Sequence, residues 1–93
     1  MTNLESPFSA VALQVRCRAV NQCDDEAARL RMLESIAHCE GQILSTKSFI
    51  KTFSGDDVRL VVLPEYFLTS FPVKESAAEW ISKCCVEPDG AEY

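Results

Sequence analysis

The stretch LVVLPEYFLTSFP at residues 60–72 contains the side chain best placed for chemistry, Glu65. A short apolar run ending in Pro64 reads as a strand, because proline has no N–H to give to a sheet ladder. Glu65 then emerges at the strand's carboxyl end, where open α/β sheets bind their ligands. Leu63, Tyr66 and Phe67 bracket it in sequence. Apolar surroundings of that kind disfavour a charged carboxylate and suit it to general-base work near neutral pH. The alternative is a glutamate that simply opens a solvated loop.

Other residues with chemical potential have plainer readings. A zinc site built from Cys17, Cys23, His38 and Cys39 would need four converging ligands, yet no C-x-x-C pair exists among them. His38 and Cys39 are neighbours that point about 100° apart on a helix. No metal and no cofactor are expected. Trp80, at helical spacing with Ala77 and Cys84, reads as core. Asp56-Asp57 reads as a solvated turn.

The elements that must position Glu65 follow from local pattern. Residues 8–15 are short, apolar and partly β-branched, which predicts a strand covered on both faces, as in a parallel sheet. Turn residues follow at 21–25, where Asp24 or Asp25 can cap a helix starting near residue 25. Met32, Ile36, Cys39, Ile43, Thr46, Ile50 and Phe53 recur at alternating spacings of four and three, with Leu33, Ala37 and Leu44 widening the stripe. One long helix fits, with Gly55 as its stop. Gly41 and the Ser45-Thr46-Lys47-Ser48 stretch leave a kink, or two helices in tandem, as the alternative. Residues 58–63 predict a second buried strand. Strand, helix, strand is a βαβ unit with parallel strands and a right-handed crossover. A second helix is predicted over 74–86, ended by Pro88-Asp89-Gly90. Residues 1–7 are polar and aperiodic and read as a flexible lead-in, with the domain spanning 8–93. A sheet of only two parallel strands leaves one face and both edges without cover, so a homo-oligomer or a partner-dependent protein is expected.

Composition bounds the function class. A chain of 93 residues forms one small domain at most and buries only roughly two-thirds of its unfolded surface. Nine Lys and Arg against fourteen Asp and Glu leave a net charge of −5, with the basic residues scattered. That balance disfavours nucleic acid as a partner. Apolar runs of about six residues fall far short of the roughly 20 that span a bilayer, so no membrane association is expected. The first fifteen residues hold Glu5 and no basic leader, and the five cysteines are odd in number and irregularly spaced. Both features point to the cytoplasm and to reduced thiols.

Ala12-Leu13-Gln14 on the first strand, and Leu63-Pro64-Glu65 closing the second, together resemble the opening of the nitrilase or carbon–nitrogen hydrolase superfamily. In that family the Leu-Pro-Glu motif precedes a Thr-Gly-Tyr-like turn, here Thr69-Ser70-Phe71. The resemblance runs from about residue 8 to 93 and covers only the N-terminal portion of the family's domain. It implies an αββα sandwich that hydrolyses non-peptide C–N bonds in an amide, nitrile or carbamoyl compound. The family works with a Cys nucleophile, a Glu general base and a Lys that stabilises the tetrahedral species. Glu65 matches the glutamate. The family's Lys and Cys lie on later strands, and Lys47, Lys51, Lys74 and Lys83 do not follow a strand as the motif requires. Cys84-Cys85-Val86-Glu87-Pro88 is similar to the Cys motif in letters only, since it ends a predicted helix and reads as a buried thiol pair. This chain alone is therefore expected to be inactive. Two departures stand out. The stretch between Gln14 and Val58 is longer than the family usually has, and Ser70 replaces the turn glycine. The competing reading is a non-catalytic α/β module that docks its open sheet on another chain.

Overall fold

The computed structural model describes residues 8–93, so the lead-in expected over 1–7 lies outside the described residues. Four elements follow in chain order: strand β1 (Ser9–Ala12), helix α1 (Asp25–Ser54), strand β2 (Val58–Val62) and helix α2 (Ala77–Cys84). The two strands pair in parallel, giving a mixed α/β arrangement of one βαβ unit followed by a helix. Among the described residues no helix is long and apolar enough to cross a membrane.

Capping chemistry fixes α1 at both ends. Asp24 accepts a hydrogen bond from the Ala27 N–H at 2.7 Å, and Asp25 and Glu26 put negative charge at the positive end of the helix dipole. Gly55 closes the helix at φ 77°, its N–H donating to the Lys51 carbonyl at 3.1 Å. Lys51 Nζ then reaches the Gly55 carbonyl at 3.3 Å and the Asp57 carboxylate at 3.1 Å, stapling the helix exit to the start of β2. The helix runs through Gly41 without interruption, which excludes two helices in tandem.

β1 is shorter than the predicted 8–15 because its partner runs out. Ala10, Val11 and Ala12 pair with Leu60, Val61 and Val62, and the Leu13 N–H makes a last bond to the Val62 carbonyl at 2.8 Å. An irregularity between Ser9 and Ala10 skips Arg59, whose guanidinium lies 5.5 Å from the Phe8 ring centroid.

The expectation that both faces of the strands are buried is not met. Val11, Leu13, Val58, Val61 and Leu63 are half-buried, whereas Ala10, Ala12, Leu60 and Val62 are exposed. Alternation rather than continuous burial is what a sheet with cover on one face produces. The α1 stripe is likewise narrower than predicted. Met32 and Cys39 are buried and Ile36, Ile43, Thr46 and Ile50 half-buried, but Ala37 and Leu44 are exposed and Phe53 is 74% exposed.

A helix of 30 residues is about 45 Å long, whereas a five-residue strand spans about 17 Å. Its N-terminal half therefore overhangs the sheet and needs other cover. Residues 68–86 supply it. Val20, Ala28 and Met32 are fully buried there, with Leu68, Trp80, Cys84 and Val86 packed around them. α2 is shorter than the predicted 74–86. Ser76 caps it by accepting from the Glu79 N–H at 3.2 Å, and the extended backbone of Cys85 ends it.

Met32 is the largest fully buried side chain. Met32→Ala is expected to cost about 2–5 kcal/mol, a major share of the stability available to a domain of this size. Urea unfolding followed by circular dichroism should show a midpoint shifted far down or no folded baseline at all.

Candidate functional site

β2 delivers the chain into a tight turn. Pro64 and Phe67 close it through a hydrogen bond from the Phe67 N–H to the Pro64 carbonyl at 3.2 Å, with Glu65 and Tyr66 at its two central positions. Tyr66 has φ 58°, and a positive φ at the second central position marks a type II turn, where glycine is usual. Ser70 is also left-handed at φ 66°. For side chains bearing a Cβ each such residue costs roughly 1–2 kcal/mol, so the surroundings must hold it. The Tyr66 carbonyl accepts from the N–H groups of Thr69 at 3.3 Å and Ser70 at 2.9 Å. Its ring lies 4.3 Å from that of Phe71. The Val20 N–H donates to the Thr69 carbonyl at 3.2 Å and anchors the loop to the core.

Glu65 is exposed on this turn, and its carboxylate has no hydrogen bond or ion pair among the described residues. The apolar shell predicted for it does not form here. Leu63 and Phe67 turn towards α1 instead, where with Ile36, Cys39 and Ile43 they line an apolar groove of about 330 Å³. Tyr66 leans on Phe71.

The remaining candidates are dispersed. Lys47 and Lys74 are exposed, Lys51 pairs with Asp57, and Lys83 Nζ bonds the Asn21 carbonyl at 3.0 Å. Cys84 packs on the core cluster, and burial pushes its thiol pKa up, as it does for Cys39. Thiols shifted that way are weaker nucleophiles at neutral pH. Cys84 is half-buried at the end of α2 and Cys85 is exposed just beyond it, so the predicted buried pair does not form. Cys17 and His38 are exposed and Cys23 half-buried. Among the described residues no three His, Cys, Asp or Glu side chains stand together as metal ligands.

A polar hub that the linear pattern does not reveal holds the other end of the loop. Asn21 Nδ2 donates to the Phe71 carbonyl at 2.8 Å and to the Glu75 carboxylate at 3.1 Å. Glu75 also accepts from the N–H groups of Val73 at 2.8 Å and Lys74 at 3.1 Å. Those donors, the Val73 N–H foremost, hold the Glu75 carboxyl at a pKa of about 2 against the ordinary 4.5. Only the turn-prone Asn21 and an acid just before the Ser76 cap hint at the hub in sequence.

No family model, no curated protein and no solved structure matches this chain. The functional reading therefore rests on residues and geometry.

Because the folded-state pKa of Glu75 lies below its unfolded value, its contribution to stability is full above pH 4.5 and is lost as pH falls towards 2. Glu75→Gln should lower the thermal midpoint at pH 7 and flatten its decline between pH 4.5 and 2. Parallel acid declines in the two proteins would exclude Glu75 as the group responsible.

Proposed function

We propose that this chain supplies the first βαβ unit and the general base of a nitrilase-like hydrolase, acting on the non-peptide C–N bond of a small amide, nitrile or carbamoyl compound. The observation that carries this reading is the position of Glu65. It stands free on a turn directly after Pro64, at the carboxyl end of a parallel strand pair. In this reading the carboxylate takes the proton from a cysteine thiol as sulfur attacks the substrate carbon. It passes that proton to the departing nitrogen, then removes one from the water that cleaves the acyl-enzyme. The Cys nucleophile and the oxyanion-stabilising Lys are assigned to residues outside these 93, on strands that complete an αββα sandwich. No cofactor enters the chemistry. Five free thiols support a cytoplasmic location.

The exposed sheet face favours a second reading, a module that docks on another chain. Leu60 and Val62 are 51% and 53% exposed there. Either reading requires that face to be covered, by the rest of the sandwich, by a second copy or by a partner.

This chain alone is expected to release no ammonia from simple amides or nitriles, since a general base without a nucleophile has nothing to activate. In the protein that joins it to the thiol and lysine, Glu65→Gln should fold normally and lose at least about a hundredfold in turnover. Near wild-type turnover would remove Glu65 from the chemistry. Sedimentation of this chain at micromolar concentration should show self-association, and a compact, stable monomer would count against both readings of the open face.

A further inference from the structure

We infer that Cys17 and Cys39 form an oxidisable pair of thiols, in which Cys17 reacts with hydrogen peroxide and Cys39 then closes an intramolecular disulfide with it. The placement follows from how the segment between β1 and α1 is laid along the helix. Val20 is buried with Ala28 and Met32. One residue back, the Ala19 carbonyl accepts from Arg31 at 2.9 Å. One further back, the Arg18 guanidinium stands 3.8 Å from the Glu34 carboxylate. Each step back along the segment thus moves about one turn along α1, and the next residue, Cys17, falls beside the turn that ends in Cys39. Burial pushes the Cys39 thiol up, Arg18 opposes that rise and the charge of Cys17 adds to it, so the two sulfurs lie within reach of each other's field.

The two thiols differ in access, and that gives each a role. Cys17 is open to a small oxidant in solvent, whereas Cys39 is 5% exposed on the inner face of α1. As its thiolate, Cys17 attacks one oxygen of the peroxide. The O–O bond breaks, a sulfenic acid forms and the other oxygen leaves as water. The Cys39 sulfur then attacks the sulfenic sulfur, so that an S–S bond forms, the S–O bond breaks and a second water departs. Two thiols and one peroxide become one disulfide and two waters, with two electrons passing from sulfur to oxygen. Ser35, four residues before Cys39 on the same face, has a buried hydroxyl without a hydrogen-bond partner, which leaves a donor for the oxygen carried on sulfur. The disulfide would brace the segment that holds Val20, whose N–H anchors the loop after β2 through the Thr69 carbonyl. A transient, oxidant-driven bridge of this kind is the form that disulfides take in a reducing compartment.

Cys85 is the other exposed thiol and serves as the internal control, since its oxidation is set by exposure alone. After a brief pulse of hydrogen peroxide and alkylation of the remaining thiols, peptide mapping by mass spectrometry should find the Cys17 and Cys39 peptides joined, with the whole chain lighter by two hydrogens. The oxidised chain should melt several degrees higher, and dithiothreitol should reverse the shift. Cys17→Ser, a change at an exposed position, should lower the yield of disulfide by at least about tenfold. Cys39→Ala should instead leave Cys17 as a sulfenic acid that a 1,3-diketone probe captures. A dominant bridge between any other two cysteines, a bridge between two copies of the chain, or oxidation of Cys85 ahead of Cys17 would overturn the pair. So would a joined peptide that forms equally well in urea, because the fold would then not be what brings the thiols together.

Discussion

Parallel pairing of β1 with β2 is the constraint on which the rest depends. Two strands that run the same way cannot be joined by a hairpin, so the chain must travel back along the sheet before the second strand begins. Here the return is α1, and its 30 residues far exceed what the short strands require. The excess sets the remaining architecture. A helix longer than its sheet presents an uncovered N-terminal half, and the chain after β2 is used to cover it. The loop and α2 fold back over Ala28 and Met32, and in doing so they fix the path of residues 64–71. The setting of Glu65 is therefore an indirect product of strand direction.

The cluster at Val20, Ala28 and Met32 is small for a chain of this length, and polar ties share the work of holding the loop. Asn21 links Phe71, Glu75 and Lys83 through one side chain and one carbonyl. Arg31 donates to the Ala19 carbonyl at 2.9 Å, and Arg29 to the Ser82 carbonyl at 3.3 Å. Ser82 in turn donates to Asp25. These bonds converge on the N-terminal end of α1 and the segment before it. The acidic cap that starts the helix thereby also receives α2.

Legibility in the sequence followed the range of the interaction. Asp24 and Gly55 could be read as the ends of α1 because a cap is chemistry among residues three or four apart. Pro64 marked the end of β2 for the same reason. What could not be read was anything settled by cover from elsewhere. A run such as VRLVV looks buried on both faces, yet Leu60 and Val62 are exposed because, among the described residues, α1 is the only element packed against this sheet. Ala37 and Leu44 seemed to widen the helix stripe, but at 100° per residue they fall opposite Ala28. The Asn21–Glu75 bond joins residues 54 apart, beyond any local pattern. In the candidate site, the placement of Glu65 at a strand end was legible, whereas its exposure was not, because Leu63 and Phe67 had a better apolar contact available on α1.

Gly41 gives α1 a thermodynamic seam. A Cβ built there would meet nothing within 4 Å, so no close approach demands a glycine, and its presence weakens the helix by about 0.8–1.0 kcal/mol relative to alanine. The seam falls between two differently supported halves, one clamped at Met32 and the other resting on a sheet open to water, with Phe49 and Phe53 stacked on each other in solvent. Local opening is cheapest where buried apolar contacts are fewest. On that ground the end of the helix around Phe49 and Phe53 is the part of α1 with the least to hold it closed. The turn carrying Glu65 touches both halves, because Leu63 and Phe67 rest on Ile36 and Cys39 before Gly41 and on Ile43 after it.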